Sequence, residues 1–547
     1  MQDVKHPKAL PFLFFSEMWE RFGYYLMIGI FTLYLKDVKD GFAMSEAESA
    51  DLYGTFIALV FLTPFLGGLL ADRYFGYRKS IIGGGILMGI GYCLMGVHSK
   101  PILYLAMTLV IFGNGFFKPN ISTLLGNVYS TDEHKHMKDD GYNIFYMGIN
   151  IGAFICNFFG AALQIMLGWS YAFLAAGIGM FIGIVIFIWG TKHYAAFDVK
   201  KEIHPDDMPF SKIALIILLP SVVAGVLGWL IPSNIFGSDS TDAFIFACIP
   251  VVYFYTNLYI KANAQEKKPI GALLAIFAVV TLFWAVFKQN GSALNTWADR
   301  YTNRQVTGTT ADVFNTLKQA KQLVYKKDST EYYDALFRLQ KEDGKVVKVV
   351  DYPVYFRNVA KENLPTEGST ISVWATNLSQ SINPGWVILL TPLVVAFFTF
   401  LKRRNKEPTT PTKIALGLFI SALSVLVMVL AVYAGSNGTV KVNVGWLMAS
   451  YGVITIGELF LSPMGLSIVS KLSPPRITAL MMGGWFLSTS IGNKLSGVLA
   501  SLWDTYEVKS NYFWVNFALL LFAALFMFAM LKWLNKIFNE HVNATKS

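Results

Sequence analysis

Residues 169–191, WSYAFLAAGIGMFIGIVIFIWGT, form a run of 23 residues without a single Asp, Glu, Lys or Arg. A helix needs about 20 mostly apolar residues to cross the hydrocarbon core of a bilayer, so this run is long enough to span a membrane. It lacks the strict alternation of apolar and polar residues that is typical of barrel strands. Because only a helix satisfies its whole backbone within one segment in lipid, the run predicts a transmembrane helix.

Similar runs recur along the whole chain, so the sequence predicts fourteen transmembrane helices and an all-α integral membrane protein. The predicted spans are residues 10–36, 51–71, 80–98, 101–129, 141–167, 169–191, 210–232, 242–261, 270–297, 384–401, 412–434, 444–470, 477–503 and 511–534. The composition agrees, because 54% of the 547 residues are hydrophobic and only 15% are charged. A soluble domain carries about 25% charged residues, so an ordinary soluble protein and a disordered one are both excluded.

Residues 299–383, called here the insert, interrupt this pattern. They hold 12 Lys or Arg and 10 Asp or Glu residues, far more than the predicted spans around them. A helix-like segment near 313–340 and an Asp343-Gly344 turn predict that the insert folds as a small cap.

The positive charges predict the orientation of the chain. With both termini on the same side, the loops and tails on that side carry 24 Lys and Arg residues, whereas the short loops on the other side carry five. Cytoplasmic loops are enriched in Lys and Arg, so we expect cytoplasmic termini, an extracytoplasmic insert and a place in the cell (inner) membrane. The net charge of +10 therefore reflects membrane topology and predicts no nucleic-acid partner.

Several kinds of chemistry find no support in the sequence. The three cysteines, Cys93, Cys156 and Cys248, lie in separate apolar runs and predict no disulfide framework. The chain has no Walker phosphate loop, no H-E-x-x-H, no Cys-x-x-Cys and no serine elbow. We therefore expect no catalytic residue, no metal and no cofactor.

Charged residues inside the predicted spans carry the functional information. They are Glu17, Glu20, Arg21, Lys118, Lys288, Glu458 and Lys494. Each costs about 2.5 to 3.5 kcal/mol at the middle of a membrane helix, so an intramembrane charge is by default a functional-site hypothesis. For Lys494, near the end of its span, a structural ion pair or a side chain that snorkels to the interface is the favoured interpretation.

The spacing of these charges predicts what they do. Glu17, Glu20 and Arg21 share one helix face, where one cation serves two acids and the cluster can take up or release a proton. Lys118 precedes Pro119 and is a natural contact for an anion, whereas Glu458, one turn before Ser462, is a natural contact for a cation. A cavity lined in this way is complementary to a small zwitterion such as an amino acid or a short peptide.

Six blocks of sequence resemble the proton-dependent oligopeptide transporter family of the major facilitator superfamily. They are residues 17–22, which match E-x-x-E-R-F; 67–73 with 76–79; 118–120, Lys-Pro-Asn; 145–150; 380–384; and 457–459 with 462–463. The resemblance covers the chain outside the insert and implies the major facilitator fold. It further implies an N-terminal six-helix bundle at 1–191, a linker with two extra helices at 192–269, a C-terminal six-helix bundle at 270–298 and 384–547, and the insert at 299–383 as a loop between spans.

The resemblance also implies uptake of di- and tripeptides with protons, by alternating access in a monomer embedded in the bilayer. Glu17, Glu20 and Arg21 would couple the proton to the peptide. The implied substrate contacts are Arg21, Tyr24, Tyr25 and Lys118 for the carboxylate, Asn150 and Glu458 for the amino end, and Ser462, Trp284 and Trp485 in the lining. Asn383 would bond nearby backbone.

Three positions depart from the family pattern. Ile28 stands where the family commonly has Arg, Phe61 where it has Tyr, and Lys288 where it has Glu. One interpretation is that Lys288 supplies the cation missing at Ile28 and contacts the substrate. The other is that Lys288 is an unpaired gate residue and that proton coupling is altered.

Two alternatives to a peptide symporter remain at this point. A carrier on the same fold could move another small solute, such as nitrate or an amino-acid derivative. A membrane receptor or enzyme could instead use the insert as its working part.

Overall fold

The computed structural model describes residues 5–134, 137–199, 209–474 and 478–544. The α-helices in these ranges are α1 (Leu10–Lys36), α2 (Glu46–Leu70), α3 (Tyr77–Met95), α4 (Lys100–Val128), α5 (Lys138–Leu167), α6 (Trp169–Gly190), α7 (Phe210–Ile213), α8 (Leu219–Trp229), α9 (Asp239–Lys261), α10 (Ala264–Phe287), α11 (Ala293–Arg300), α12 (Gly308–Thr316), α13 (Ile382–Arg403), α14 (Thr410–Ala434), α15 (Val444–Leu472), α16 (Thr478–Ser501) and α17 (Lys509–Ala544). The predicted all-α membrane fold is confirmed.

Each of the fourteen predicted spans overlaps one of these helices or a short series of them. A π-helical turn, Ala214–Leu218, joins α7 to α8, and a 3-10 turn, Lys288–Gly291, lies between α10 and α11. Within the described ranges, eleven helical segments are individually long and apolar enough to cross a membrane. The other three predicted spans are α1, α3 and α16, and α1 carries the charged Glu17, Glu20 and Arg21.

Two separate hydrophobic cores divide the helices into two halves. In the N-terminal half, α1–α6, helix α1 packs on α5 and α6, and α4 packs on α2 and α3. In the C-terminal half, α10, α11 and α13–α17, helix α14 packs on α15 and α17, and α10 packs on α16 and α17. Helices α8 and α9 pack on each other as a hairpin, and in the sequence this hairpin lies between the two halves.

Helices α2 and α16 join the two halves at close range. A Cβ atom added to Gly54 of α2 would lie 2.7 Å from the Cα atom of Gly497 on α16, so the backbones touch here. Nearby, the Ser490 hydroxyl donates a hydrogen bond of 2.7 Å to the carbonyl of Ala58. Small residues at this crossing therefore let the halves pack directly against each other.

Further hydrogen bonds join the halves on the side of the molecule that carries the insert. Thr32 of α1 donates to the carbonyl of Gly291 at 2.8 Å and accepts from Asn295 of α11 at 3.3 Å. Ser381, just before α13, donates to the carbonyl of Phe154 on α5 at 2.8 Å. These contacts hold the halves together on the insert side.

The insert consists mainly of short strands, and its helix is shorter than the sequence predicted. Its strands are β1 (Thr302–Asn303), β2 (Gln305–Val306), β3 (Ala320–Val324), β4 (Asp328–Glu331), β5 (Lys341–Glu342), β6 (Lys345–Val346), β7 (Lys348–Asp351) and β8 (Thr370–Trp374). Strand β8 lies between β2 and β3, β4 pairs with β7, and β5 pairs with β6. Strand β9, Val442–Asn443, lies outside the insert and pairs with β1.

The predicted helix near 313–340 is wrong beyond Thr316. Lys318 adopts φ = 55°, a left-handed conformation that ends α12, and residues 320–324 then pair with β8. Tertiary pairing overrides the local helical pattern here. The predicted Asp343-Gly344 turn is confirmed, because both residues have positive φ between β5 and β6, as a two-residue hairpin requires.

Candidate polar site between the halves

The charged motif of α1 is buried in the N-terminal half. Glu17, Glu20 and Arg21 expose 2%, 0% and 3% of their surfaces. The Arg21 guanidinium pairs with both oxygens of Glu20, with 2.6 Å between Nη2 and Oε1, and its Nε lies 3.4 Å from Oε1 of Glu17. One cation therefore serves two carboxylates, as the helical spacing predicted. The other oxygen of Glu17 is buried and has no hydrogen-bond partner among the described residues.

The two tyrosines after Arg21 continue this polar face. The Arg21 guanidinium lies 4.9 Å from the centre of the Tyr24 ring, a cation–π contact. The Tyr24 hydroxyl is buried without a hydrogen-bond partner in the described part of the chain. Tyr25 packs edge-on against Tyr24 and is partly exposed. Its hydroxyl lies within electrostatic range of Arg21 and of Glu458 in the other half.

Lys118 and Lys288 come from different halves and share one aromatic ring. The Lys118 Nζ atom lies 4.3 Å from the centre of the Phe61 ring, and the Lys288 Nζ atom lies 5.0 Å from it. Lys288 also lies 5.3 Å from the ring of Trp284. Neither lysine has a salt-bridge partner within 4.0 Å among the described carboxylates, and both remain partly exposed.

The structure gives Phe61 a role that the sequence did not indicate, because its ring contacts both lysines. Its position in the family pattern marked it only as a departure from Tyr. An aromatic ring without a hydroxyl offers two ammonium groups a cation–π contact and no hydrogen bond. Within the described ranges the ammonium groups of both lysines have no hydrogen-bond acceptor, so they can bind a ligand at the point where α2, α4 and the end of α10 meet.

Glu458 is the acid of the C-terminal half. It lies on α15 and is partly exposed, and its Oε2 atom accepts a hydrogen bond of 3.2 Å from Nδ2 of Asn383. The same nitrogen donates to the Thr455 hydroxyl at 2.8 Å. The resemblance implied that Asn383 bonds backbone, and the side-chain partners correct this. Asn383 instead orients the carboxylate of Glu458.

The remaining predicted contacts fall into two groups. Asn150 donates to the carbonyl of Tyr146 at 2.9 Å and is 8% exposed, and Trp485 is buried with its ring against Phe277. Ser462 Oγ and Trp284 Nε1 are buried polar atoms without a hydrogen-bond partner in the described ranges. Unsatisfied buried polar atoms are rare in folded proteins, so each of them needs an explanation, such as a bound water molecule or ion.

The charges of the two halves form one electrostatic cluster. Lys118 interacts with Arg21, Glu17 and Glu20 in its own half and with Lys288 in the other. Lys288 in turn interacts with Glu458 and Arg21. The cluster thus brings together three cations and three acids from the two halves.

Lys494 lies outside this cluster and corrects part of the sequence analysis. It does not snorkel: it is 1% exposed, and its Nζ atom lies 2.6 Å from Oδ1 of Asp51 on α2. The structural ion pair considered for Lys494 is the right interpretation. The sequence analysis did not include Asp51 among the intramembrane charges, because the predicted second span began at that residue. An acid in span 2 and a base in span 13 could have indicated an ion pair between these helices.

These features define the class of protein: a multi-pass membrane transporter with two helical halves around a polar centre. A family model described as PTR2, POT family, matches residues 78–320 and 367–515. The chain therefore belongs to the POT family, and the resemblance read from the six blocks is confirmed.

Individual relatives agree with this assignment. The chain is 29% identical to dipeptide and tripeptide permease A of Proteus mirabilis over 511 residues, which cover 93% of this chain and 88% of that protein. It is 29% identical to the permease of the same name from Escherichia coli over 502 residues, 91% of this chain and 85% of that one. A crystal structure of peptide transporter POT in complex with sulfate has a TM-score of 0.74 and 27% identity, and the match covers 98% of this chain and 97% of that chain. A POT family transporter in complex with 5-aminolevulinic acid, at 23% identity and a TM-score of 0.74, shares the fold.

Proposed function

We propose that this chain is a proton-coupled symporter that imports di- and tripeptides by alternating access. The observation that carries the proposal is the cluster of three cations and three acids contributed by both halves, with Lys118 and Lys288 on one aromatic ring. A dipeptide carries one carboxylate and one ammonium group, so it fits between unpaired lysines and an oriented acid. The named peptide permeases among its relatives support the same substrate class.

We further propose the arrangement in the membrane. The N-terminal bundle would comprise 1–191 and the C-terminal bundle 270–298 with 384–547, while 192–269 adds the extra helices. The insert, 299–383, would face outward and both termini inward, in the cell membrane of a monomeric carrier. Since the halves are hydrogen-bonded on the insert side, the structure then corresponds to a state that is closed toward the outside.

A peptide would bind between the cations at one end of the charged cluster and Glu458 at the other. Lys118, Arg21 and Lys288 would receive the peptide carboxylate, with Tyr24 and Tyr25 beside them. Glu458, held by Asn383, would receive the ammonium group together with Asn150. Ser462, Trp284 and Trp485 would line the space for side chains. No covalent step, metal or cofactor takes part in this cycle.

Proton coupling follows from the shared cation of α1. Arg21 is the shared counter-ion of Glu17 and Glu20 in this buried site. A peptide carboxylate that draws Arg21 away leaves at least one of these acids without its counter-ion. A buried carboxylate without a counter-ion binds a proton, because burial disfavours its charged form. Peptide and proton would therefore load together.

A second candidate is a carrier of another small solute with an anionic group. The observation that favours it is Lys288, a cation at a position where the family pattern has an acid, beside the equally unpaired Lys118. In a panel of competitors, di- and tripeptides would displace a labelled dipeptide if the peptide proposal holds. Displacement by nitrate or 5-aminolevulinic acid, without displacement by peptides, would favour the second candidate.

The direct test is dipeptide uptake into proteoliposomes. One proton cotransported with a zwitterion carries one positive charge, which a potential of about 100 mV drives with about 2.3 kcal/mol. That energy corresponds to accumulation of more than about tenfold, since each 1.4 kcal/mol is a factor of ten. We expect an inward proton gradient with an inside-negative potential to drive such accumulation. Equal uptake with the gradient collapsed would contradict proton coupling, and no uptake of any peptide would contradict the substrate class.

A further inference from the structure

A second ion pair lies at the α2–α16 crossing, apart from the central cluster, with Lys494 buried and Asp51 partly exposed. The Lys494 Nζ atom lies 2.6 Å from Oδ1 of Asp51, 2.7 Å from Oγ1 of Thr55 and 2.9 Å from Oγ of Ser240. Asp51 and Thr55 belong to the N-terminal half and Lys494 to the C-terminal half. Ser240 belongs to neither, because it opens helix α9 of the extra hairpin.

The hairpin supplies further partners to the same acid. Asp51 accepts hydrogen bonds from Ser240 at 2.6 Å, Ser238 at 3.0 Å and Thr241 at 3.3 Å. Ser238 is the N-cap residue of α9, and its side chain also accepts from the backbone N–H of Thr241 at 3.2 Å. The first turn of α9 is therefore fixed in place against Asp51. Ser240 is the link between all three bodies, since its hydroxyl contacts both charges.

The position of this network, between helices of different halves, indicates what the ion pair stabilises. The two charged residues lie on helices of different halves, α2 and α16. A buried pair is often no better for stability than apolar side chains of similar volume, whereas loss of one partner is strongly destabilising. An ion pair at such a place stabilises one relative position of the two halves and disfavours any other.

We propose that Asp51, Lys494 and Ser240 form a latch that holds the insert side closed, and that the hairpin of α8 and α9 is part of this latch. The inference rests on the proposed function in one respect, because a latch requires two halves that alternate. The proposal gives the extra helices α8 and α9 a role: the start of α9 contacts the α2–α16 crossing and stabilises it in the closed state. To open the insert side, the Asp51–Lys494 pair breaks and Ser240 loses one of its two charged partners.

The test measures opening of the crossing without any substrate. Ala58 of α2 is buried at the same interface, and its carbonyl accepts from Ser490 of α16. In a variant with Cys93, Cys156 and Cys248 replaced by Ser, Ala58→Cys provides a single thiol. Its rate of reaction with a water-soluble maleimide reports exposure of the crossing. Melting temperatures in detergent identify variants that fail to fold.

Four variants carry the expected results. Asp51→Asn and Lys494→Met should each raise the labelling rate by about tenfold, since a hydrogen-bonded charge pair is lost from the closed state alone. Ser240→Ala should raise it by about threefold, because both charges lose one partner but keep each other. The double exchange Asp51→Lys with Lys494→Asp should return the rate to within about threefold of the parent, because the pair is restored with reversed polarity.

Lys413→Met is the matched control. Lys413 is buried to a similar degree and its Nζ atom lies 2.6 Å from Oε1 of Glu407, but both residues belong to the C-terminal half. Its labelling rate should stay at the parent value.

The proposal is overturned if Asp51→Asn and Lys494→Met label like the parent or like Lys413→Met, or if the folded double exchange labels as fast as the single variants. If Ser240→Ala labels like the parent, the Ser240 hydroxyl is not part of the latch, and that part of the proposal is wrong. The labelling experiment uses no peptide. If the labelling rates change as expected but the protein takes up no dipeptide, the proposed substrate is wrong and the latch proposal is still supported.

Discussion

The Glu20→Gln variant is expected to lose gradient-driven dipeptide uptake, to less than about a tenth of the parent rate, while peptide exchange at equal pH continues in part. Glu20 is fully buried and both its oxygens contact the Arg21 guanidinium. Gln preserves the shape and one acceptor but cannot be protonated or bear a charge. The substitution therefore removes one of the two proposed proton-binding carboxylates without removing the space for the peptide. The measurement compares uptake under a proton gradient with counterflow in the same proteoliposomes.

The comparison of the two modes identifies the role of Glu20. Glu48→Gln is the control, because Glu48 is an acid in the exposed capping box of α2 and Gln suits the same capping position. It should leave both modes within about twofold of the parent. Equal loss of uptake and counterflow in Glu20→Gln would indicate that Glu20 serves binding or folding, and the proposed coupling would be wrong.

The Lys118→Ala variant is expected to weaken dipeptide binding by about 10- to 100-fold. Lys118 has no salt-bridge partner among the described carboxylates, so the peptide carboxylate would be its partner. Hydrogen bonds to charged groups contribute about 1.5 to 3 kcal/mol, which corresponds to this range. The measurement is the dissociation constant of a free dipeptide and of the same dipeptide with an amidated C-terminus. The parent should discriminate strongly between the two, and Lys118→Ala should discriminate much less.

An exposed lysine provides the control for this experiment. Lys267 also lies over an aromatic ring, 5.3 Å from the centre of Tyr259, but at the start of α10 and away from the cluster. Lys267→Ala should bind both peptides like the parent. If Lys118→Ala weakened the free and the amidated dipeptide by the same factor, Lys118 would not contact the carboxylate.

Much of the fold follows from the sequence because lipid imposes a simple requirement. The first predicted span, 10–36, has the same bounds as α1, since an apolar run of that length forms a helix in a membrane irrespective of its neighbours. The insert lacks this constraint. There, residues 320–324 are a strand only because β8 lies alongside to pair with them, and no local pattern contains that information.

The site divides in the same way. The sequence could single out Lys118, Lys288 and Glu458 because a charge in a membrane helix is costly in any arrangement. It could not show that the two lysines share the Phe61 ring, since three helices must first be placed in space. Nor could it show that Asn383 holds the Glu458 carboxylate, because the rotamer of an amide depends on its surroundings.

The central proposal is that cations and acids from both halves meet at one polar site and hold the two ends of a peptide. A structure of the protein with a bound dipeptide tests this most directly. The account predicts that the peptide carboxylate lies about 3 Å from the side-chain nitrogens of Lys118 or Arg21 and that the peptide ammonium nitrogen lies at the same distance from Glu458. A peptide bound elsewhere would contradict the proposal. A peptide bound at this site with its carboxylate away from Lys118 and Arg21 and its ammonium group away from Glu458 would also contradict it.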